Sequence, residues 1–417
     1  MLGSTAPGAR TASRSHQAGS HADDLEIDVR DGLLPPPHTP AARAAARLSA
    51  PWSRPPTAGS GALDAVQEPV EDLLARFLAE RVTELCALDP ALEDIGREVE
   101  QLVACGGKRL RPAFVYWGHR ATGAAHDEGS FWPASAVELL HTFALIHDDV
   151  MDRSPERRGR PAVHAALSSA HTRDGMVGDP RWFGVGGAIL AGDLAFVWAD
   201  QLLDESPLPP AALALARRVF NELRVEVMAG QYLDLRLAGL AAATRRDALR
   251  VALLKSGRYT VTRPLQLGAA IGGAQTAGTQ VDLQALDRAL AAYGDAVGLA
   301  FQMRDDVLGL FGDPSETGKG ALEDLREGKR TVLILRALER SGPADRAALL
   351  DILGSEELDQ SDAARARDIV AGSGALDFVE RCMSEQLELA CQALSDVGTP
   401  AAPALVELAE LALFRRV

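Results

Sequence analysis

Apolar residues recur at helical spacing along most of the chain. Behind Pro69, residues such as Val70, Leu73 and Phe77 mark one apolar helix face. Because proline suits the first turn of a helix, we expect this helix to begin near Pro69. Ala- and Leu-rich stretches farther along, such as residues 282–309, repeat the rhythm, and convincing alternating strand patterns are absent. The pattern therefore predicts an all-α fold.

The first sixty or so residues differ in character from the rest. Prolines at positions 35–37, 40, 51, 55 and 56 interrupt any long periodic element, and small residues and arginines fill the gaps. Such a segment cannot bury enough apolar area to offset the entropy lost on ordering. We therefore predict that residues 1–62 form a disordered Pro-, Ala- and Arg-rich tail and that residues 63–417 form one helical domain.

The net charge limits the classes of partner. The chain has 43 Lys and Arg residues against 58 Asp and Glu residues, a charge of −15 at pH 7. This balance argues against binding to nucleic acid or to an anionic membrane surface, but it permits anionic small molecules where cations cluster locally.

The sequence also bears on the compartment. A secretory signal is not expected, because the N-terminal stretch is polar and has no apolar core. A transmembrane helix is not expected either, because the longest apolar run, 183–198, contains Asp193 and several glycines. The four cysteines are dispersed and form no Cys-x-x-Cys pair, which favours a reducing environment. We therefore expect a soluble cytoplasmic protein.

The sharpest chemical feature is an acidic cluster that follows an apolar helical run. Asp148 and Asp152 stand four residues apart, so on a helix their carboxylates share one face, about 5.4 Å apart along the axis. Asp149 lies beside them, and like charges at this spacing are destabilising unless a cation lies between them. One such triplet alone is also compatible with the solvated end of a helix.

A second acidic cluster favours the functional interpretation. Asp305 and Asp306 again follow an apolar helical run. Carboxylate oxygens are hard ligands, and Mg²⁺ usually binds one or two carboxylates together with phosphate oxygens and water. No cysteine or histidine accompanies these aspartates at the spacing of a zinc site. Two such clusters at the mouth of an apolar interior predict a site for several Mg²⁺ ions around a diphosphate.

Cations are distributed to match the acidic clusters. They follow Gly106-Gly107, follow the first cluster, and recur near later glycines: Lys108, Arg109, Arg111, Arg157, Arg158, Arg160, Lys255, Lys319 and Lys329. Arginine offers a fork of donors and lysine a compact charge, and both are common in phosphate sites. A basic loop alone is usually just solvated. The Walker pattern is absent, so no nucleotide P-loop is implied.

In chain order, these motifs resemble those of the trans-isoprenyl diphosphate synthases, the family of farnesyl and geranylgeranyl diphosphate synthases. The matching segments are Gly106–Pro112, Asp148–Asp152 with Arg157–Gly159, Gly192-Asp193, Gly230–Asp234, Lys255–Gly257 and Phe301–Asp306. The resemblance extends from about Pro69 to the C-terminus. Each motif is modestly specific alone, whereas the ordered set is highly specific.

The resemblance implies an isoprenoid synthase fold, a helical bundle around a central cavity, and usually a homodimer. It implies three Mg²⁺ ions, with Asp148 and Asp152 as the principal ligands of two and Asp305 of the third. Further groups would complete the metal shells: Asp149, Asp306, Gln231 and Asp234.

The resemblance also assigns the two substrates. The expected contacts to the allylic substrate and its diphosphate are Arg157, Lys255, Ser256, Gln302 and Lys319. The expected contacts to isopentenyl diphosphate are Lys108, Arg111, His141 and Arg158, and Lys329 would close over the site.

Two positions depart from the family pattern. The second acidic motif is often Asp-Asp-x-x-Asp, whereas Gly309 occupies its last position here. This change leaves room for a weaker shell around the third metal ion, although some members of the family resemble the glycine form. Ser256 stands where threonine is frequent and keeps the hydroxyl group.

The implied reaction is the head-to-tail (1′-4) condensation of isopentenyl diphosphate with an allylic diphosphate. Mg²⁺ and cations would neutralise the leaving diphosphate as the allylic C–O bond breaks. A dry apolar cavity would keep water from the resulting carbocation, and the released diphosphate is a plausible proton acceptor. Catalysis is expected to rest on Asp148, Asp149, Asp152, Lys255, Asp305 and Asp306.

Other functions remain open at this point. A farnesyl diphosphate synthase belongs to the same family. A class I terpene cyclase shares the first acidic motif but has a different second motif, which residues 221–226 do not fit. A non-catalytic regulatory subunit should have lost acidic ligands, and a helical scaffold gives no reason for paired acidic and basic clusters.

Product length is expected to depend on the helix below Asp148. Phe143 lies five residues before Asp148, about 7.5 Å along the helix axis, with the small Ala144 beside it. Within the resemblance, one aromatic residue at this place, with no insertion up to Asp152, implies a C20 product, geranylgeranyl diphosphate. Phe143 is also compatible with an ordinary core position.

We predict that Phe143→Ala lengthens the product, because removal of the ring would open the path of the growing chain. Chromatography of the dephosphorylated products of the variant and of the parent protein measures this change. An unchanged profile would show that Phe143 does not form the floor of the path.

Overall fold

The computed structural model describes residues 61–240, 242–276, 281–312, 321–355 and 357–413. The predicted N-terminal tail, apart from its last two residues, lies outside the described residues. The same is true of Lys319, one of the expected substrate contacts.

Most of the described chain is helical, and the predicted all-α fold is confirmed. The helices are α1 (Gly61–Leu88), α2 (Glu93–Ala104), α3 (Leu110–Ala121), α4 (Phe131–Met151), α5 (Val163–Arg173), α6 (Pro180–Asp204), α7 (Pro210–Ala238), α8 (Arg245–Val251), α9 (Arg263–Gln275), α10 (Leu283–Phe311), α11 (Ala321–Arg326), α12 (Val332–Arg340), α13 (Pro343–Ile352), α14 (Gln360–Gly372), α15 (Ala375–Val397) and α16 (Ala402–Leu413). Short 3₁₀ turns lie at Pro90–Leu92 and Glu128–Ser130, and a π-helical segment, Ala252–Thr262, joins α8 to α9. Strands β1 (Glu156–Arg157) and β2 (Arg160–Pro161) form a small antiparallel hairpin between α4 and α5.

Helix α1 already includes Gly61, the first described residue, so the predicted start near Pro69 is wrong. Pro69 lies inside α1, where it removes one backbone hydrogen bond and crowds the carbonyl of the preceding turn. Tertiary packing holds the helix together before the proline, because Ala62 and Val66 are fully buried and the Trp117 indole donates a 2.8 Å hydrogen bond to the Ala62 carbonyl. Packed structure therefore starts slightly before the proposed domain boundary.

Helix α10 passes between two hydrophobic cores. Val297 on α10 belongs to the larger core, which also takes residues from α1, α3, α4, α6, α7 and α9. Met303, farther along α10, belongs to the smaller core with α12 to α15. The hydroxyl of the fully buried Tyr293 donates a 2.6 Å hydrogen bond to the Leu405 carbonyl. Burial on several sides fixes α10 and therefore the position of the second acidic cluster near its end.

The π-helical segment packs against both α7 and α10. Such wide turns are rare and frequently lie at functional sites. A Cβ atom built on Gly230 of α7 would overlap the backbone nitrogen of Lys255 in this segment. Glycine therefore permits the close approach that places Gln231 and Asp234 beside the Lys255 side chain.

Helix α6 is long and apolar enough to cross a membrane, judged by length and composition alone. The expectation that no stretch resembles a transmembrane helix was therefore too strict. Its apolar content, with a mean hydropathy of 1.5, outweighs Asp193 and the glycines, and 39% of the apolar stretch is buried within the chain. Core helices of soluble proteins have the same character, and α6 packs against α4 and α5.

We predict that Gly230→Ala lowers the free energy of unfolding by about 1–3 kcal/mol, because the added methyl group meets backbone atoms and α7 must move. Thermal unfolding followed by circular dichroism measures the change. Gly372→Ala is the matched control, since Gly372 lies at the exposed end of α14 with open space around its Cα. Equal melting temperatures for the two variants would contradict the close-packing argument.

Candidate active site

Helices α4 and α10 present their acidic clusters to a common cavity of about 370 Å³, here called the main cavity. Its carboxylates are Asp148, Asp234, Asp305, Asp306 and Asp324, and its cations are Arg157, Lys255, Lys329 and Arg330. Ser256, Gln302 and several apolar side chains complete the lining. Both clusters lie near the C-terminal ends of their helices, where the helix dipole disfavours negative charge. Nearby cations would therefore stabilise these carboxylates.

Asp148 faces the main cavity and is bound from two sides. Its Oδ1 accepts a 2.8 Å hydrogen bond from Gln231 Nε2 and lies 3.2 Å from Lys255 Nζ. Lys255 Nζ also lies 2.6 Å from Asp234 Oδ2. Burial alone would lower the pKa of the Lys255 ammonium group, but Asp148 and Asp234 raise it above its usual value, so the group stays charged.

The side chain of Asp149, unlike that of Asp148, points away from the main cavity. Successive helix residues point about 100° apart, and Asp149 is buried, away from the main cavity. Its carboxylate accepts hydrogen bonds of 2.9 and 3.2 Å from Arg157 Nε. Asp149 thus holds the guanidinium group of Arg157, which itself lines the main cavity.

The hairpin β1–β2 sets the direction of the arginines that follow the first cluster. Its central residues, Arg158 and Gly159, have φ values of 54° and 71°, as type I′ turns require at both positions. Positive φ is uncommon for a residue with a side chain and recurs at functional sites. The turn lets Arg157 bind Asp149 while Arg158 donates to the Gly106 carbonyl.

Asp152 lies beside Lys329 rather than on the wall of the main cavity. Lys329 Nζ is 3.5 Å from Asp152 Oδ2 and 3.3 Å from Asp324 Oδ1, and it also contacts the Glu327 carboxylate. Burial would lower the pKa of Lys329, but these three carboxylates raise it well above its usual value. The lysine therefore links the first acidic cluster to the segment after α10.

The second cluster combines burial with mutual repulsion. Asp305 and Asp306 both line the main cavity, and Gln302 Nε2 donates a 2.7 Å hydrogen bond to Asp306 Oδ1. Burial raises the pKa of Asp306 to about 7, with a further upward contribution from Asp324. A nearby cation would stabilise the charged form of Asp306.

The donor set fits Mg²⁺ held jointly with a ligand. Within the described residues, no three His, Cys, Asp or Glu side chains are already assembled around one point. Mg²⁺ seldom needs such a cage, because it usually binds one or two carboxylates together with waters and substrate phosphates. The carboxylates of Asp148, Asp305 and Asp306 supply hard oxygens around one cavity, and Asp152 borders it through Lys329.

A second group of predicted residues surrounds Tyr259 of the π-helical segment. The Arg111 guanidinium group lies 4.6 Å from the centre of the Tyr259 ring and donates a 2.9 Å hydrogen bond to Thr260 Oγ1. His141 Nδ1 lies 3.0 Å from the Tyr259 hydroxyl oxygen. Burial and the arginines Arg111 and Arg158 lower the pKa of His141 well below its usual value, so this imidazole is neutral at pH 7.

The basic loop after Gly106 has two functions. Lys108 is exposed, whereas Arg109 is buried and its Nη1 lies 2.7 Å from Glu138 Oε1. Arg109 thus anchors the loop to α4 and is unavailable to a ligand. Of the two other cations in this segment, Lys108 is exposed, and Arg111, in the first turn of α3, is half-buried.

Phe143 is buried on α4, and its ring centre lies 4.8 Å from that of His147 and 5.0 Å from that of Phe196 on α6. Phe143 and Ala144 lie on the other side of Asp148 from the helix end and do not line the main cavity. Phe196 also contacts the Arg224 guanidinium group of α7 at 4.9 Å. At the place where the sequence predicts a floor, Phe143 therefore packs within a cluster of aromatic rings.

Sequence reasoning missed Tyr259, Asp324 and Arg330 as residues of the site. Tyr259 stands four residues after Lys255, which is the spacing of one helical turn, so helical periodicity from the Lys255-Ser256-Gly257 motif was the available signal. Asp324 and Arg330 flank the predicted Lys329 in the sequence. Their charge close to a predicted ligand was the available signal.

The chain is similar to known proteins over most of its length. The polyprenyl synthetase family model matches residues 93–370. The crystal structure of a geranylgeranyl pyrophosphate synthase from Corynebacterium glutamicum, complexed with isoprenyl diphosphate and magnesium, superposes with a TM-score of 0.79 at 37% identity. The match covers 84% of this chain and 99% of that one.

Two curated relatives are similar over most of the domain. A geranylgeranyl diphosphate synthase of Mycobacterium tuberculosis is 35% identical over 307 residues, 73% of this chain and 79% of the relative. A (2E,6E)-farnesyl diphosphate synthase of the same species is 32% identical over 310 residues, 73% of this chain and 78% of the relative. The predicted prenyltransferase family is therefore confirmed, and the chain belongs to the polyprenyl synthetase family.

Proposed function

We propose that this enzyme condenses isopentenyl diphosphate head-to-tail with an allylic diphosphate and releases geranylgeranyl diphosphate. The observation that carries the proposal is the meeting of Asp148 with Asp305 and Asp306 around one cavity that also contains Lys255 and Lys329. Carboxylates and cations in one cavity suit a diphosphate that arrives with divalent metal ions.

The acidic residues would hold Mg²⁺, three ions in our proposal, through Asp148, Asp152 and Asp305. When bound, these ions supply positive charge to the leaving diphosphate. Lys255 and Arg157 line the same cavity and remain charged, so they stabilise negative charge on the departing oxygen. Ser256 and Gln302 add polar contacts to the allylic group.

Isopentenyl diphosphate would bind at the second group, with Lys108, Arg111 and Arg158 on its phosphates. Arg158 has its pKa lowered by burial and by the neighbouring Arg109 and Arg111. Cations that repel one another in this way gain free energy when an anion arrives. The neutral His141 contributes a hydrogen bond rather than a charge.

The C20 product is supported by the aromatic cluster around Phe143 and by similarity to enzymes that carry the geranylgeranyl name. Similarity to a farnesyl diphosphate synthase supports the C15 product as the second candidate. The size of the product decides between them.

A homodimer would cover the apolar surface of α6 and α7. Large apolar side chains are exposed on both helices, among them Ile189 and Leu190 on α6 and Val225 and Met228 on α7. The two helices are adjacent, since Arg224 Nη1 lies 2.9 Å from Asp200 Oδ2. We propose a second copy of the chain as the partner of this surface, in a cytoplasmic protein.

We predict that the purified full chain, incubated with Mg²⁺, isopentenyl diphosphate and each of the C5, C10 and C15 primers, yields mainly geranylgeraniol after dephosphorylation. Asp148→Asn should reduce the rate about a hundredfold or more, because charge stabilisation of the leaving group is lost. Asp396→Asn, an exposed site on α15, is the control and should keep full activity. Retained activity in Asp148→Asn would refute the proposed site, and farnesol as the end product would establish the second candidate.

We predict that light scattering after size exclusion gives twice the chain mass of 44.2 kDa. The substitutions Val197→Glu and Val225→Glu together should give the monomer mass, because charges would be buried at the interface. Leu350→Glu on α13, also exposed, is the control and should leave the mass unchanged. A dimeric double variant would place the interface elsewhere.

A further inference from the structure

The two acidic motifs differ at one position. The first has an aspartate four residues after its leading aspartate, Asp148 to Asp152, whereas the second has Gly309 four residues after Asp305. On a helix these positions lie one turn apart on the same face. The second motif therefore lacks the carboxylate that its counterpart supplies.

A carboxylate from another helix occupies the space that Gly309 leaves. A Cβ atom built on Gly309 would lie against Oδ2 of Asp324, which is carried by α11. Within one aspartate side chain, the Cβ atom and a carboxylate oxygen are two bonds apart and about 2.4 Å from each other. The built Cβ atom and Asp324 Oδ2 are no farther apart than that. The Asp324 oxygen thus occupies space that a side chain at position 309 would fill.

The surroundings of Asp324 are those of a ligand-binding group rather than of a surface residue. It lines the main cavity together with Asp305, Asp306 and Gly309, and its other oxygen lies 3.3 Å from Lys329 Nζ. A carboxylate in this cavity adds negative charge where negative charge is already costly, which a divalent cation would offset.

We propose that Asp324 supplies the third carboxylate of the second acidic motif and helps to hold the metal–diphosphate complex in place of a side chain at position 309. The inference rests on the proposed function, because it takes Mg²⁺ and a diphosphate as the occupants of the main cavity. In this proposal, the absence of a side chain at Gly309 leaves the space that the Asp324 carboxylate occupies. The expected weaker shell at Gly309 is thereby compensated from α11.

Calorimetric titration of the full-length protein with inorganic pyrophosphate in the presence of Mg²⁺ tests the proposal without turnover. Asp324→Asn should weaken pyrophosphate binding about tenfold or more, as losses around metal ligands commonly do. Gly309→Ala should weaken it as well, because the methyl group displaces the Asp324 carboxylate.

The decisive variant is Gly309→Asp combined with Asp324→Ala, which moves the carboxylate from α11 to α10 and removes the side-chain atoms that a Cβ atom at position 309 would meet. It should bind Mg²⁺-pyrophosphate within about threefold of the unmodified protein. A merely structural role of Asp324 would not be rescued from position 309. Asp351→Asn on α13 is the matched control, and melting temperatures without metal monitor folding in each variant.

The outcomes distinguish a failure of the proposed role of Asp324 from a failure of the proposed function. Unchanged pyrophosphate binding in both Asp324→Asn and Gly309→Ala, or failure of the double variant to recover, overturns the role of Asp324 and leaves the proposed function standing. If the unmodified protein neither binds Mg²⁺-pyrophosphate nor condenses the substrates, the proposed function itself fails and the inference falls with it.

Discussion

Repulsion among carboxylates is the constraint on which the rest of this structure depends. Two unit charges 4 Å apart interact by about 4 kcal/mol near a protein surface, and Asp148, Asp305 and Asp306 share one cavity at helix ends that disfavour anions. Lys255 and Lys329 partly balance this charge in the free protein. The packing of the fold, above all around α10, holds together carboxylates that would otherwise separate.

This repulsion makes the site responsive to its occupants. Four carboxylates, those of Asp148, Asp152, Asp234 and Asp324, are paired with lysines at distances of 2.6–3.5 Å. Under the proposed function, these lysines would turn from carboxylates to phosphates when a diphosphate binds, and the carboxylates would then bind divalent ions. Anion and metal ions would therefore assist each other's binding, because each would neutralise the groups that the other leaves unpaired.

Much of the fold and of the candidate site could be predicted from the sequence, and the features that could not be predicted have physical reasons. Helical periodicity gave the fold class, and the spacing of Asp148 and Asp152 together with Asp305 and Asp306 anticipated two opposed acidic helices. Adjacency in sequence does not say which neighbour faces a cavity, so the inward burial of Asp149 required the structure. The position of Asp324 against Gly309 depends on how α11 is oriented, which no local pattern encodes.

The π-helical segment contributes to both of the regions that we propose for the two diphosphates, through Lys255 at one end and through Tyr259 and Thr260 at the other. Its wide turn sets the angular offset between these side chains, and one residue more or fewer would rotate them by up to about 100° relative to each other. The number of residues in this segment is thus constrained more tightly than their identity at outward-facing positions. Here an insertion or deletion would uncouple the two substrates even if every named side chain were kept.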